Sequence, residues 1–396
     1  MEKKDKNLNV PNLRFPEFSG EWETSILLDV CEINPKTPSL DEEFVYIDLE
    51  SVEKGTILHE NVISRDDAPS RAQRVLKFND ILFQCVRPYQ KNNLLFAGYT
   101  HTLQYVASTG YAQIRTDKQN PAFLYQLLNT QKFVDQVMLR CTGTSYPAIN
   151  ANDLSKIPIC YPLQIEEQNK IAKLLSLLDN RIETQKKIIE KYESLIRGLI
   201  TDVNKGKTCK CKAVALRDVL IEVHEKNVEN HEVCSVSVRQ GVINQIDYLG
   251  RSFAAKEVLH YNVVNYGDIV YTKSPTGEFP YGIVKRSNLD RLVAVSPLYG
   301  VYRPVNDYVG IYLHLYFKSP VNTKNYLHRL IQKGAKNTIN ITNQHFLDNE
   351  ILIPENGWLE IIVNAASTIE KMIHIECNAL LCLEKQKNYL LSKMFI

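Results

Sequence analysis

The sequence contains no long hydrophobic run. None of its segments approaches the ~18 consecutive apolar residues of a membrane-spanning helix, although 44% of the 396 residues are hydrophobic and 23% are charged. The charged start, Met1-Glu2-Lys3-Lys4, leads into no apolar stretch, so the sequence predicts no signal peptide. We therefore expect a globular protein that stays in the cytoplasm.

The nine cysteines form no disulfide pattern. Their number is odd, and they lie singly except for Cys209 and Cys211, which is typical of reduced thiols. A structural zinc site needs about four ligands, and the Cys-x-Cys pair has no second Cys or His pair at ligand spacing. We therefore predict neither a disulfide framework nor a bound metal.

The motifs of common nucleotide-binding and catalytic sites are absent. The closest glycines are Gly277 and Gly282, which excludes G-x-G-x-x-G, and Ile283 excludes the phosphate loop. No two prolines are adjacent, so the Asn/Asp-Pro-Pro-aromatic motif of amino-methyltransferases is excluded. The histidines show no H-x-H or H-E-x-x-H spacing, and no G-x-S-x-G elbow occurs. We predict that this chain has no catalytic residue and binds no cofactor itself.

The small net charge of +2 conceals a segregation of charge along the chain. Residues 20–63 contain 11 acidic and 2 basic residues. Residues 64–160 contain 11 basic and 6 acidic residues (11 − 6 = +5), and residues 209–353 contain 17 basic and 13 acidic ones (17 − 13 = +4). This distribution is compatible with DNA binding by one face of each basic region, and equally with solvated faces.

The chain repeats itself with a period of about 190 residues. The segment Asn79-Asp80-Ile81 matches Gly267-Asp268-Ile269. Further matches keep their order as the offset rises from 188 to 192: Ser108 with Ser296, Tyr111 with Tyr299, Arg115 with Arg303, Leu124 with Leu313, Leu128 with Phe317, Ile149 with Ile339 and Pro162 with Pro354. Ordered matches with slowly drifting offsets indicate two diverged copies.

Both copies predict the same elements. Short β-type runs such as Phe44-Val45-Tyr46-Ile47 alternate with turns, and one helix follows near 121–139 or 307–332. Each copy ends in a long stretch without proline, from Ile165 to about Thr201 and from Trp358 to about Phe395. We predict an α+β fold in which two similar α/β units alternate with two long helices.

Apolar residues in both long stretches follow the 4-3 spacing of a coiled-coil seam. The seam positions are Ile171, Leu175, Leu178, Ile182, Gln185, Ile189, Tyr192, Ile196 and Leu199 in the first helix, and Ile362, Ala366, Ile369, Ile373, Glu376, Leu380, Leu383 and Leu390 in the second, which Lys387 interrupts. The spacing favours an antiparallel coiled coil over two helices that pack only on their own units. Gln185 and Glu376 then lie near each other and fix the register.

Several segments resemble specificity subunits of Type I restriction-modification enzymes. The opening Val10-Pro11-Asn12-Leu13-Arg14-Phe15-Pro16-Glu17-Phe18 with Gly20-Glu21-Trp22 is similar to the lead-in of many members. The segment from Tyr161-Pro162 through Glu166-Glu167-Gln168 to Leu177-Leu178-Asp179 resembles the family's first spacer. The likeness covers essentially the whole chain, but Glu355-Asn356-Gly357-Trp358 replaces the Glu-Glu-Gln motif in the second copy.

The resemblance implies a domain order and a role. The order is a lead-in (1–19), target recognition domain 1 (20–162), helical spacer 1 (163–203), a linker (204–210), target recognition domain 2 (211–354) and helical spacer 2 (355–396). The role is that of a non-catalytic subunit that binds double-stranded DNA, two methyltransferase subunits and restriction subunits. The assembled complex methylates adenine or cleaves foreign DNA, so S-adenosylmethionine, ATP and Mg are expected on the partner subunits only.

Base reading requires polar side chains on exposed loops. The candidates in the first copy are Gln84, Arg87, Tyr89, Gln90, Lys91, Thr144, Ser145 and Tyr146. Those in the second copy are Lys273, Ser274, Thr276, Lys333, Lys336 and Asn337. For each single residue, a solvated loop position is at least as good an interpretation as a DNA contact.

The length of the seam predicts the separation of two half-sites. From residue 171 to residue 199 it spans roughly 42 Å at ~1.5 Å per residue, which corresponds to about 12 base pairs of B-DNA. Because the copies have diverged, the half-sites should differ. Two alternatives stay open at this point: a non-enzymatic scaffold whose paired domains bind protein, and an enzyme whose site assembles from distant residues.

Overall fold

The structure is a computed structural model that describes residues 9–98, 100, 102–249, 257–333 and 339–396. It divides into two compact units. Unit 1 comprises Met1–Lys186 with Asn378–Ile396, and unit 2 comprises Lys187–Cys377. The predicted mixture of helices and strands is confirmed in both units.

Unit 1 is built around antiparallel strands. The strands are β1 Glu23–Ile26, β2 Glu32–Ile33, β3 Glu43–Ile47, β4 Val52–Glu53, β5 Thr56–Ile57, β6 Asn61–Ser64, β7 Ala72–Val75, β8 Ile81–Gln84, β9 Leu94–Leu95, β10 Gln104–Ser108, β11 Tyr111–Arg115 and β12 Pro158–Tyr161. The helices are α1 Leu27–Val30, α2 Pro121–Leu128, α3 Gln131–Met138, α4 Ala151–Ser155 and the first part of α5 Ile165–Asn204. The strands pair in the orders β6-β3-β10-β7, β2-β11-β8-β9, β1-β12 and β4-β5, and β3 with β10 is a parallel pair.

Unit 2 contains counterparts of two of these sheets. Its strands are β13 Cys211–Ala215, β14 Leu220–Glu222, β15 Cys234–Ser237, β16 Gly241–Asn244, β17 Asn262–Val264, β18 Ile269–Thr272, β19 Ile283–Arg286, β20 Val293–Val295, β21 Gly300–Pro304, β22 Gln332–Lys333, β23 Ile339–Asn340 and β24 Glu350–Pro354. Its helices are α6 Gln245–Leu249, α7 Asp307–Phe317, α8 Pro320–His328, α9 Asn343–Phe346 and the first part of α10 Trp358–Met394. The order β14-β21-β18-β19 corresponds to β2-β11-β8-β9, and β13-β24 corresponds to β1-β12.

A buried ion pair occupies the same place in both units. In unit 1, the Asp80 carboxylate accepts hydrogen bonds from Arg115 Nε at 2.7 Å and Arg115 Nη2 at 2.6 Å. In unit 2, Asp268 accepts from Arg303 Nε at 3.0 Å and Nη2 at 3.2 Å. Both carboxylates come directly after a residue with positive φ. These matched contacts give the internal repeat of the sequence a structural basis.

The single helix expected after the strands is wrong in both units, because each is a pair of helices. In unit 1, α2 ends before Thr130, whose Oγ1 accepts a hydrogen bond from Phe133 N at 3.2 Å and caps α3. In unit 2, Ser319 Oγ accepts from Asn322 N at 3.3 Å and caps α8, and Pro320 follows at the first helical position. Ser or Thr caps and a first-position Pro are ordinary helix-start signals.

The two long helices contribute to the core of both units. In unit 1, Ile171 and Leu175 of α5 share a buried apolar cluster with Leu391 of α10, and Lys387 Nζ lies 2.5 Å from Asp179 Oδ1. In unit 2, Ile196 and Ile200 of α5 share a cluster with Ile362, Val363 and Ala366 of α10. Every predicted seam position is buried or half-buried. Pairing of the helices along their whole length stays a prediction.

Candidate nucleic-acid interface

The first group of predicted DNA-binding residues lies on two neighbouring loops of unit 1. One loop follows β8 and contains Arg87, and the other precedes α4 and contains Tyr146. The loops are joined by Arg87 N, which donates a hydrogen bond to Pro147 O at 2.8 Å, and by the bridge between Val86 and Ala148. Residues some 60 positions apart in sequence are thereby held at one end of the β-sheet.

An arginine and a tyrosine form the contact at the centre of these loops. Arg87 Cζ lies 4.3 Å above the centre of the Tyr146 ring, a cation–π geometry that fixes the direction of the guanidinium. Tyr146 is 65% exposed. Arg87 Nε is buried and has no hydrogen-bond partner, and Arg87 has a φ of 54°, a left-handed conformation that costs about 1 kcal/mol or more in a non-glycine residue.

The exposed position expected for Gln84 is wrong. This side chain is only 2% exposed at the end of β8. Its Nε2 donates to Gln90 Oε1 at 2.9 Å, and its Oε1 accepts from Asn92 N at 3.0 Å. The backbone of Gln84 also bonds this loop, since Gln84 N donates a hydrogen bond to Asn93 Oδ1 at 2.7 Å. Gln84 therefore holds the loop from 87 to 93 in place and is not itself accessible to a base.

The other predicted residues of this group differ in their exposure to solvent. Tyr89 is 51% exposed, and Gln90, Thr144 and Ser145 are also exposed. Lys91 is half-buried, because its Nζ donates to Asn129 O at 3.2 Å and to Gln131 Oε1 at 3.0 Å. Burial lowers the pKa of Lys91 below its usual value.

A polar cleft of about 700 Å³ opens beside Tyr89, Gln90 and Lys91 in unit 1. Its lining includes the basic side chains Lys54, Lys91, Lys132, Lys186 and Lys387 and the acidic side chains Asp179 and Glu384. Five positive and two negative charges give the lining a net charge of 5 − 2 = +3. Such a surface attracts polyanions.

The cleft brings in basic residues that the sequence interpretation missed. Lys54 lies in the β4–β5 turn, Lys132 in the first turn of α3 and Lys186 on α5. These three positions are up to 132 residues apart (186 − 54), so no local pattern signals that they share a surface. Only the fold assembles them.

The second group of predicted DNA-binding residues, in unit 2, lies only partly within the described residues. Lys273, Ser274 and Thr276 are exposed in the loop between β18 and β19. The backbone of Thr276 exchanges hydrogen bonds with Phe279 at 3.1 and 2.9 Å, which closes the tip of the loop. Lys333 contributes backbone to β22. Lys336 and Asn337 lie outside the described residues.

Glycine is required where this loop returns to the sheet. Gly282 has a φ of 108°, and a Cβ atom built there would lie 2.1 Å from Thr272 O. A side chain cannot be accommodated at that distance from a backbone oxygen, so the hairpin needs a residue without Cβ. Gly282, whose spacing from Gly277 does not fit a nucleotide-binding motif, thus positions the loop between β18 and β19.

A buried basic cluster lies behind this sheet in unit 2. Burial and the nearby cations Lys285, Lys318 and Arg286 lower the pKa of His314 to about 3. Its Nδ1 accepts a hydrogen bond from Arg286 N at 3.2 Å. Burial, together with Lys318, lowers the pKa of Lys285 to about 8. The imidazole of the half-buried His314 is therefore neutral at physiological pH, and its Nδ1 is occupied by the backbone of Arg286.

In the Glu166-Glu167-Gln168 motif of the first copy, the side chains of Glu167 and Gln168 are buried and bond other parts of unit 1. The Glu167 carboxylate is fully buried and accepts from Arg14 Nε at 2.8 Å, Arg14 Nη2 at 2.7 Å and Trp22 Nε1 at 3.2 Å. The buried Gln168 donates to Pro162 O at 2.9 Å. The motif thereby ties the lead-in and β12 to the start of α5.

The described part of the chain contains neither a metal-binding cluster nor a membrane-spanning helix. Among residues 9–98, 100, 102–249, 257–333 and 339–396, no three His, Cys, Asp or Glu side chains are grouped so that they could hold a metal ion. Within the same residues, no helix combines the length and the apolar character that crossing a membrane requires.

Comparison with known proteins identifies relatives that match part of the chain. Residues 19–194 match the family model described as the Type I restriction modification DNA specificity domain. The specificity subunit of the Type I restriction enzyme HindI from Haemophilus influenzae is 27% identical over 160 residues, 39% of this chain and 34% of that protein. That of MjaVIII from Methanocaldococcus jannaschii is 25% identical over 201 residues, 48% of this chain and 47% of that protein. The matches thus span about a third to a half of these relatives.

Solved structures show the same fold over nearly the whole chain. A Type I restriction-modification S subunit from M. genitalium superposes with a TM-score of 0.57 at 12% identity and covers 98% of this chain and 99% of that one. A chain from a study of complex assembly and conformational transition of the type I R-M system has a TM-score of 0.53 at 20% identity and covers 94% and 97%. Residues 19–194 are thus similar to the Type I restriction modification DNA specificity domain, and the chain has the same fold as the solved S subunit.

Proposed function

We propose that this chain is the DNA-binding specificity subunit of a Type I restriction-modification complex. Each unit reads one half of an asymmetric bipartite DNA site. The paired long helices set the distance between the half-sites and bind methyltransferase subunits. The chain itself carries no catalytic step, and S-adenosylmethionine, ATP and Mg belong to the methyltransferase and restriction subunits.

The observation that carries this proposal is the loop pair around Arg87 and Tyr146. It lies within the stretch that matches the DNA specificity domain, and it presents an oriented guanidinium beside exposed aromatic and polar side chains. Arginine is the side chain most often used to read guanine in the major groove. The adjoining lysine-lined cleft supplies the positive charge that holds phosphates.

Arg87 and Tyr146 have different parts in the proposed interface. The guanidinium makes the base or phosphate contact, and the Tyr146 ring keeps it extended from the loop. Gln84 positions the loop from within the sheet through its hydrogen bonds to Gln90 and Asn92. In unit 2, the exposed Lys273, Ser274 and Thr276 take the corresponding place, and their divergence from the first copy gives the second half-site a different sequence.

Binding to a fluorescent DNA duplex at several salt concentrations tests the proposal. We expect log K to fall linearly with log salt, since phosphate contacts release counterions. Arg87→Ala should weaken binding about tenfold or more, because one such contact contributes about 1–3 kcal/mol. Lys77→Ala is the matched control, since this exposed lysine precedes β8 at the opposite end of that strand. Binding without salt dependence, or equal loss in both variants, would favour a protein-binding scaffold instead.

A further inference from the structure

Two cysteines that are two positions apart in the sequence also meet in space. The Sγ atoms of Cys209 and Cys211 are 3.8 Å apart, within hydrogen-bond distance for thiols. Both side chains are half-buried. The pair lies where the chain passes from α5, which ends at Asn204, to β13, which begins at Cys211. No part of the proposed function uses these two thiols.

The surroundings of the pair are typical of a reactive thiol. Lys207, Lys210 and Lys212 flank the two cysteines, and all three lysines are exposed. Reactive cysteines lie in partly exposed, electropositive surroundings, because nearby cations stabilise the thiolate that reacts. The segment from 207 to 212 meets both conditions.

The two thiols differ in their readiness to lose a proton. Cys211 Sγ lies 3.6 Å from Val203 O and 3.6 Å from Cys209 O, and its thiol can donate a hydrogen bond to either oxygen. Burial, together with the hydrogen bond to Cys209 and the nearby Glu355 carboxylate, raises the pKa of Cys211 to about 11. Cys211 therefore keeps its proton at neutral pH, and Cys209 is the thiol that reacts first.

The connection between α5 and β13 has room for the two sulfurs to approach each other. A disulfide bond is about 2.05 Å long, so the Sγ atoms must come closer by roughly 1.8 Å. Residues 205–208 are exposed and belong to no helix or strand. A Cβ atom built at Gly206 would meet no heavy atom of a non-neighbouring residue within 4 Å. A small rearrangement of this connection is therefore sufficient.

A metal ion fits this pair less well than a covalent bond does. Within the part of the chain that the structure describes, no third His, Cys, Asp or Glu side chain completes a metal-binding group with Cys209 and Cys211. A structural zinc ion needs about four ligands, and the flanking lysines repel a cation. The geometry therefore favours a bond between the two sulfurs.

We propose that Cys209 and Cys211 form a reversible redox modification site, at which a peroxide converts the two thiols to one disulfide. The Cys209 thiolate attacks one peroxide oxygen and the O–O bond breaks. Cys209 becomes a sulfenic acid, and the other oxygen leaves as hydroxide, which takes up the proton that Cys209 released. The Cys211 sulfur then attacks the Cys209 sulfur, the S–O bond breaks, and a second water leaves with the Cys211 proton.

The step is balanced and reversible. Two electrons pass from the two thiols to one peroxide, and the products are one disulfide and two waters. Two equivalents of a small thiol restore Cys209 and Cys211 by exchange and leave as a disulfide of their own.

The disulfide braces the connection between α5 and β13. Cys209 and Cys211 both pack against the apolar cluster that contains Ile196 and Ile200 of α5. A ring closed through residues 209–211 removes backbone freedom from Lys210 and fixes the chain where it leaves this cluster for the first strand of unit 2.

A tryptic digest of the full-length chain after treatment with equimolar hydrogen peroxide tests the proposal. Free thiols are first blocked with N-ethylmaleimide. Trypsin cuts after Lys207, Lys210 and Lys212, so the reduced chain gives Cys209 and Cys211 in separate peptides, 208–210 and 211–212. In the oxidised chain the disulfide should join these two peptides, and dithiothreitol should separate them again.

Cys377 and Cys382 on α10 are the internal control. Both are exposed whereas Cys209 and Cys211 are half-buried, so exposure alone predicts that the α10 thiols react first. We expect the pair to be oxidised at least tenfold faster. Cys160→Ser, at another half-buried thiol, should leave the linked peptides unchanged.

Single variants test the two roles within the pair. In Cys209→Ser, Cys211 should lose its thiol at least tenfold more slowly than in wild type, because the thiol that reacts first is absent. In Cys211→Ser, Cys209 should still react and should proceed to sulfinic acid, because no second thiol resolves the sulfenic acid. Amide hydrogen exchange over residues 205–211 of wild type should slow on oxidation.

Three results would overturn the proposal, and none of them depends on DNA or on a partner subunit. The first is oxidation of Cys377 and Cys382 before the pair. The second is sulfinic acid at Cys209 of wild type without linked peptides. The third is stoichiometric Zn²⁺ binding to the reduced chain that Cys209→Ser lacks, which would assign the pair to a metal. Unchanged amide exchange in a chain with linked peptides would contradict the bracing of the connection.

Discussion

At the scale of single residues, the two buried carboxylates provide a stability test within one chain. Asp80 accepts four hydrogen bonds, from Lys77 N, Gln113 Nε2 and two nitrogens of Arg115. Asp80→Asn should lower the free energy of unfolding by about 3 kcal/mol, because removing one member of a buried ion pair leaves the other charge without its partner. Urea denaturation measures this change.

The second unit supplies the comparison for that variant. Asp268 has longer bonds to Arg303, at 3.0 and 3.2 Å, and the Arg303 side chain is 47% exposed against 26% for Arg115. Water can solvate Arg303 more readily once the carboxylate is removed. Asp268→Asn should therefore lower the free energy of unfolding by less than Asp80→Asn does. Equal or reversed costs would contradict the difference that the geometry implies.

His314 predicts a pH dependence of stability. The folded state keeps this imidazole neutral down to about pH 3, whereas the unfolded chain protonates it near its usual pKa of 6.5. Between these values only the unfolded state takes up the proton. The contribution of His314 to the free energy of unfolding is therefore fully present above pH 6.5. It falls as the pH falls below that value, by up to about 1.4 kcal/mol per pH unit.

Urea melts at pH 7 and pH 5 check this prediction. His314→Gln keeps an acceptor for Arg286 N but does not titrate, so its loss of stability between the two pH values should be smaller than that of wild type. His59→Gln changes an exposed histidine and should behave as wild type. An identical pH response in His314→Gln and wild type would be evidence against a buried neutral imidazole.

Residue patterns predicted the site only in part. Arg87, Tyr89 and Tyr146 were expected between the regular strands because turn-rich polar segments are typical of exposed loops, and they lie there; their contact with DNA stays a prediction. Gln84 was misplaced for a physical reason: it ends a buried strand, and its side chain bonds the next loop. The cleft lysines 54, 132 and 186 were missed because their proximity depends on tertiary packing that no local spacing encodes.

At the scale of elements, the long helices were the most predictable part of the fold. Their heptad spacing extends over about four repeats, and the observed ends, Asn204 and Met394, lie within three residues of the expected ones. The shorter helices were merged because the polar segments around Thr130 and Ser319, which separate the apolar stretches, were read as part of one helix. The strong local signal there is the cap residue and not the apolar pattern.

The helices also provide the test of the proposed spacing. Inserting one heptad into the middle of α5, with a matching heptad in α10, adds roughly 10 Å, or about three base pairs of B-DNA. The insertion should lengthen the central spacer of the DNA site by about that number and leave both half-sites unchanged. Sequencing of methylated sites measures the spacer, and a spacer of unaltered length would rule out the helices as the ruler.

At the scale of the whole molecule, the internal repeat is the main feature that the sequence and the structure share. The repeat was visible in the sequence because matches in a constant order survive divergence. Two of these matches, Asp80 with Asp268 and Arg115 with Arg303, form the same ion pair in both units. The DNA target was not predictable from sequence, because base preference depends on loop conformation and on which side chains face the groove.

The most direct test of the central claim is to co-express this chain with the methyltransferase subunit of its system and to map methylated adenines across the host genome by single-molecule sequencing. We expect one bipartite asymmetric motif with a fixed spacer, in which Arg87→Ala alters the bases of one half-site only. Absence of any methylated motif from cells that contain a stable complex would contradict this claim.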